Sequence, residues 1–319
     1  MLLSPVQMHI PDGFLSVPVS IILWIVSIIV IGYALKRVTA DLGERQVPLM
    51  GVMAAAIFAG QMLNFAVAGG TSGHLIGAAI ATLLLGPWAA MLVLTCVVSI
   101  QALIFQDGGM LVLGANIFNM AFIAVTVSYM VYRSVQTLAK GQSLGILIGG
   151  FAAAWLSVEV AALATALELV ISGTSPANIA IPAMGGIHAL IGIGEGLITV
   201  GALAFIYATR RDLLKAGESA PVRGKLVWAA GLVLAIFLAI ASPLASSHPD
   251  GLEWVAEQKG FLESARGPLY KIIPDYLFPG VSNTTLATIL AAIIGVLIVY
   301  FVALGLAYSR RHKSSTGGE

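Results

Sequence analysis

Between residues 285 and 308 the chain runs without one charged side chain, and several other stretches come close to it in length and apolar character. A helix needs about 20 apolar residues to cross roughly 30 Å of hydrocarbon. In lipid the backbone polar groups must be satisfied within the spanning segment itself, which leaves helices as the form for such runs. A soluble domain is excluded by composition: such domains carry about 25% charged residues, whereas this chain of 319 residues carries 10%, with 59% hydrophobic residues and a mean hydropathy of +0.97. The sequence therefore predicts an all-α membrane protein, multi-pass and placed in the cell membrane.

The hydrophobic pattern predicts about nine transmembrane helices, near residues 18–35, 48–68, 75–85, 88–105, 110–132, 144–171, 182–207, 226–245 and 285–308. The third is too short to cross alone. A basic linker after Arg210 and Arg211 divides the chain into a seven-span module, 8–210, and a two-span module, 222–310, whose two helices are separated by a polar loop, 246–279. All but three of the 16 Lys and Arg residues fall in alternate loops. The exceptions, Lys259, Arg266 and Lys271, share the long 246–279 loop, where charge has little influence on orientation. This bias puts the amino terminus outside and the carboxyl terminus in the cytoplasm. The net charge of +1 gives no sign of nucleic-acid binding, and Cys96, the one cysteine, lies in an apolar run where packing is its expected role. Residues 1–7 lack the positive start and apolar core of a signal peptide. They read as an upstream extension with no structural role.

The polar breaks between the spans carry the chemistry. If Met8 is the first residue, its amine, the His9 backbone amide and the His9 imidazole close a five-membered and a six-membered chelate ring around one metal ion. That set fills three corners of a square, the geometry suited to Ni(II) or Cu(II), and His74 is the candidate for the fourth. The alternative is that Pro11-Asp12-Gly13 is an ordinary turn and His9 an incidental surface residue. From Asn64 to His74 the hydrophobic pattern breaks most densely, with Gly69, Gly70, Thr71, Ser72 and Gly73 in sequence. Unwound backbone at membrane depth survives only inside protein or along a cavity, so this segment is expected to fold into a pocket. On the predicted topology His9, the 69–74 segment, Asp107 and His248 all lie on the outer side. Nitrogen donors suit nickel or cobalt, whereas magnesium or calcium calls for a cluster of oxygens.

Other features remain open between two readings. Ala55 with Ala59, and Ala56 with Gly60, have the spacing that lets a second helix approach closely in lipid, either a coupling subunit or simply another helix rich in small residues. Asn116 and Asn119 share a helix face and need partners there. Glu159, Glu168 and Glu195 are intramembrane carboxylates of the sort an ion-coupled secondary transporter uses as proton relays. Against that use, none is paired in sequence with another, and no two-half repeat is evident. His188, two turns before Glu195, is expected to be structural, with Glu195 as its partner or as a brace for the pocket. An intramembrane metalloenzyme would want an H-E-x-x-H helix motif, and the sequence has none.

The segments Met8-His9-Ile10-Pro11-Asp12-Gly13-Phe14-Leu15, Ala68-Gly69-Gly70-Thr71-Ser72-Gly73-His74-Leu75 and His188-Ala189-Leu190-Ile191-Gly192-Ile193-Gly194-Glu195-Gly196 resemble the signatures of the CbiM/NikM family. These are the substrate-binding membrane components of energy-coupling-factor transporters for cobalt and nickel. His248-Pro249-Asp250-Gly251-Leu252-Glu253 with its flanking spans is similar to the small CbiN/NikN subunit, here on the same chain. The resemblance implies that the Met8 amine, the His9 amide and imidazole, and the His74 imidazole hold Ni2+ or Co2+ as transported substrate, with no permanent cofactor. It implies too that energy comes from a transmembrane coupling subunit and two ATPase subunits, so the chain is not itself an enzyme. No G-x-x-x-x-G-K-[ST] loop for ATP phosphates occurs in it. One feature departs from the pattern: a Met8 joined to seven preceding residues has no free amine, so either translation starts at Met8, as the resemblance implies, or the segment is trimmed, or one ligand is replaced.

Overall fold

A computed structural model describes residues 8–41, 46–140, 142–214 and 225–316. The expected upstream extension, most of the basic linker and the last three residues lie outside the described residues. Each predicted apolar run contains helix. The helices are α1 (Val17–Asp41), α2 (Gln46–Gln61), α3 (Ala78–Leu85), α4 (Pro87–Ile100), α5 (Leu113–Ile117), α6 (Ala124–Leu138), α7 (Ser143–Ile171), α8 (Ala177–Thr209), α9 (Lys225–Ala241), α10 (Gly251–Lys259) and α11 (Thr284–Thr316). A π-helical turn, Phe118–Ile123, joins α5 to α6, and another, Gln101–Phe105, extends α4. Six segments are long and apolar enough to cross a membrane: Val17–Val38, Pro87–Phe105, Leu113–Leu138, Leu144–Ile171, Ala177–Thr209 and Thr284–Arg311. Gln46–Gln61 and Trp228–Leu244 are shorter apolar helices.

The surface is apolar where a soluble protein's would be polar. On α1, Ile21, Ile22, Ile25, Ile28 and Ile29 form an exposed stripe at helical spacing, and Leu190, Ile193, Leu197 and Phe205 do the same on α8. Hydrocarbon is the solvent these faces match. Inside, α2 is wrapped by α4, α9 and α11, while α7 pairs with α8 and receives α6. Glycines allow the close crossings: a side chain added at Gly295 on α11 would meet the Phe58 ring of α2, and one at Gly192 on α8 would meet Trp155 of α7. Without a hydrophobic driving force between helices in lipid, such backbone proximity is what packs them.

The structure departs from expectation in four places. The helix foreseen over 48–68 ends at Gln61, because the chain must leave helical form before the glycines and does so in a two-stranded hairpin, β1 (Phe65–Val67) with β2 (Thr71–Gly73). Gly69 and Gly70 turn it at φ of 84° and 79°, a region that favours glycine. The Ala55, Ala56, Ala59, Gly60 face is not free for a coupling subunit: Ala55 and Ala59 are fully buried against the chain's own helices, and Gly60 packs beside Leu75. A helix not foreseen, α10, rises within the 246–279 loop. Lastly, α11 continues to Thr316, past the expected end near Tyr308.

Candidate metal centre

The segment ahead of α1 runs into the protein, not over its surface. Met8, His9, Ile10 and Phe14 are all buried, His9 to 3% exposure. Two side chains from elsewhere hold it there. Asn116 on α5 accepts from Ile10 N (3.0 Å) and donates to Ile10 O (3.1 Å), closing a two-point clamp on the backbone. Asp12 accepts from Met110 N, Leu111 N and Val112 N at 2.9 to 3.2 Å, so one carboxylate gathers the three backbone amides just ahead of α5. The Pro11-Asp12-Gly13 turn does form, with Gly13 at φ 96°, but His9 beside it is an interior residue.

The buried nitrogens converge. Met8 N donates to Asp107 Oδ1 at 2.8 Å, and His9 Nδ1 lies 3.1 Å from that same oxygen. The His9 contact is close enough for an ion pair but out of line for a hydrogen bond, and neither ring nitrogen makes a hydrogen bond among the described residues. An unpaired buried polar group costs about 1–3 kcal/mol. Two on one ring mark a place where a further partner is wanted. Facing His9 is His74, its ring centroid 5.5 Å away at 71°. Met8, His9, His74, Asn116, Asn119, His188 and Asp250 line one cavity of about 70 Å³.

Among the described residues no three His, Cys, Asp or Glu side chains gather as a metal-binding group. Side chains alone thus make no full coordination set. A set including main-chain nitrogen is different, because Met8 N and His9 Nδ1 both lie within 3.1 Å of one oxygen, Asp107 Oδ1, with His74 opposite. In the chain as given, Met8 N is a peptide amide.

Around this centre the carboxylates are engaged. Asp107 Oδ2 accepts the Tyr276 hydroxyl at 2.6 Å. Burial would raise the Asp107 pKa, but the neighbouring His9 ring and the Tyr276 hydroxyl hold it below the usual carboxylate value. Asp250 Oδ1 lies 3.1 Å from His74 Nδ1. For His74, burial disfavours the charged ring, and the Asp250 carboxylate more than offsets it, leaving the pKa above the ordinary histidine value. Burial likewise raises Asp250, while His74 and, more weakly, His188 bring it below its ordinary value.

The glycine-rich segment supplies His74 by way of the hairpin. Ser72 is fully buried in β2, and Glu195 on α8 accepts from Ile76 N (2.7 Å) and Gly77 N (2.9 Å) just beyond His74. Glu195 is therefore a brace for this loop and not the partner of His188. His188 instead has Nδ1 2.8 Å from Met184 O, one turn earlier on its own helix, and its ring lines the cavity beside Gly251. Gly73 has no room for a side chain, since a β-carbon there would sit 2.5 Å from Ile191. Gly69 and Gly70 shape the turn away from the cavity, and Asn64 only ties the hairpin's base, its carbonyl accepting from Ser246 N at 2.8 Å. Of the pocket residues read from sequence, Asp107 and His188 thus reach the centre, whereas the hairpin residues position it.

Sequence reading assigned no role to Asp250 or Tyr276. The repeat of Pro-Asp-Gly at 11–13 and 249–251 was the available signal for Asp250; Tyr276, in a loop of ordinary composition, carried none.

Outward apolar faces on long helices, closed at one end around the buried His9 imidazole and the partly buried His74 imidazole, define a multi-pass membrane protein with a histidine-lined interior site. The profile described as "Cobalt uptake substrate-specific transmembrane region" matches residues 9–213, and that of the PDGLE domain matches residues 225–312. The chain belongs to the CbiM family, carries a PDGLE domain on the same polypeptide, and is a nickel/cobalt transport membrane protein of the CbiM/NikM type. It is 39% identical to the putative fused nickel transport protein NikMN of Archaeoglobus fulgidus, over 97% of this chain and 100% of that one. With the fused nickel transport protein NikMN of Rhodobacter capsulatus it shares 29% identity, over 98% and 100%. A solved structure of a transition metal transporter, 34% identical, superposes with a TM-score of 0.57 over 71% of this chain and 99% of that one.

Proposed function

We propose that this chain is the substrate-binding membrane component of an ATP-driven energy-coupling-factor importer, and that it captures Ni2+ or Co2+ at its outer face through Met8, His9 and His74. The observation that carries this reading is the convergence of Met8 N and His9 Nδ1 on one point, Asp107 Oδ1, with the His74 ring opposite. Deprotonation of the amine and the His9 amide on metal binding would complete a planar four-nitrogen set, which Asp107 would vacate. Nickel is the better-matched substrate, given that geometry and the nickel transporters among the full-length relatives. The charge bias of the loops supports an outer amino terminus and a cytoplasmic carboxyl terminus. Energy would come from a coupling subunit and two ATPase subunits, since the chain has no phosphate-binding loop of its own. The 8–210 module would hold the metal, while the loop of the 222–310 module lies over the site.

An ion-coupled secondary transporter is less well supported. Glu195 is occupied in bracing the 76–77 backbone, Glu168 accepts from Asn119 (2.9 Å), and Glu159 lies apart beside Gly185. Nickel uptake into vesicles holding the whole complex separates the readings. Uptake that requires internal ATP supports the proposal; uptake driven by an ion gradient alone contradicts it.

A further inference from the structure

The loop between α9 and α11 is fastened to the hairpin that carries His74. Ser72 N donates to Pro249 O (2.8 Å), Ser72 Oγ to His248 O (2.8 Å), and Thr71 Oγ1 to Pro249 O (3.0 Å); Ser72 and Asp250 pair as a short parallel bridge. Those bonds deliver Asp250, 3% exposed, to His74 Nδ1. Asp250 is also the residue that opens α10, a position where an aspartate ordinarily turns its carboxylate onto the helix's first amides. Here the side-chain cap bond does not form. The carboxylate turns to the imidazole, with the Gly251 amide beside it.

A histidine that binds metal through one nitrogen usually donates its other N–H to a carboxylate or carbonyl, which fixes tautomer and ring orientation and strengthens the donor. Resting on the ligand reading above, we infer that Asp250 is a positioning residue of the metal site. It keeps the proton of His74 on Nδ1 and turns Nε2 toward the metal, without entering the coordination shell. The metal site is then built by both modules. The amino-terminal module supplies the nitrogens, and the carboxyl-terminal module holds one of them in register.

The test uses the full chain in detergent with nickel chloride as probe, reading affinity by competition with a chromogenic chelator and coordination by visible absorption. Asp250→Ala should weaken nickel binding about 10- to 100-fold, while at saturating nickel its absorption band keeps the wild-type position. Asp250→Asn, whose amide oxygen still accepts from Nδ1–H, should recover most of the loss. Ser72→Ala, which removes the hydroxyl's docking contacts with His248 O and Pro249 O and leaves the carboxylate in place, should weaken binding less than Asp250→Ala. Wild-type affinity in Asp250→Ala would overturn the inference. So would a shifted band, which would make Asp250 a ligand, or an Asn variant as weak as the Ala variant, which would make it a ligand or a docking contact only. His74→Ala, measured alongside, tests the underlying reading: if it binds nickel like wild type, the ligand assignment itself fails, whatever Asp250 does.

Discussion

His9 and His74 differ from His188 in what surrounds them. His9 has no hydrogen-bond partner on either nitrogen among the described residues, and His74 faces it across the cavity, whereas His188 Nδ1 is tied to a carbonyl of its own helix. His74→Ala should therefore lower nickel affinity by more than about 100-fold, beyond the range of an outer-shell change. His188→Ala should leave it largely intact; calorimetric titration of the two purified variants checks both, and equal losses would contradict the assignment. Glu195 makes a different prediction. Removing its carboxylate in Glu195→Ala orphans two buried amides, at about 1–3 kcal/mol each, so thermal unfolding should shift clearly downward, and less so in Glu195→Gln. Binding should also strengthen as pH rises and release protons, because amine, amide and imidazole must all be deprotonated to bind metal. Titration in buffers of different ionisation enthalpy counts those protons; a pH-independent affinity would contradict a nitrogen site.

At the scale of elements, residues 64–74 show what the sequence could and could not reveal. Three glycines and a histidine in an apolar chain announce a pocket, because lipid does not accept such backbone. That they form a hairpin, and that β2 pairs with residue 250, depends on contacts across more than 170 residues, which no local pattern encodes. The same holds for Asn116: its need for a partner was legible, but not that the partner is the backbone of Ile10. The small residues of α2 were legible as a close-packing face, and their occupant was not, because spacing is blind to whether the neighbouring helix belongs to the same chain. The hairpin's fit can be tested at Gly73. Gly73→Val would drive a side chain into Ile191, displace His74, and should reduce nickel affinity together with thermal stability. Unchanged values in both would mean that the hairpin's seat on α8 does not set the site.

For the whole molecule, apolar runs made the membrane class and the helix positions readable directly, while the docking of the 246–279 loop on the 71–73 strand was not readable, since it rests on surfaces that meet only after folding. The proposed orientation has its own check. On a Cys96→Ser background, a cysteine at Glu257 should react with a membrane-impermeant thiol reagent in intact cells, and one at Ser134 only after permeabilisation; the reverse pattern would invert the topology. The most direct test of the account is the visible spectrum of the nickel-loaded protein in a chain beginning at Met8. A planar four-nitrogen absorption band is expected, lost along with most of the affinity when one alanine is inserted between Met8 and His9, because the insertion breaks the adjacent chelate rings while leaving both imidazoles. Retention of that band and affinity in the inserted variant would contradict capture through the Met8 nitrogen.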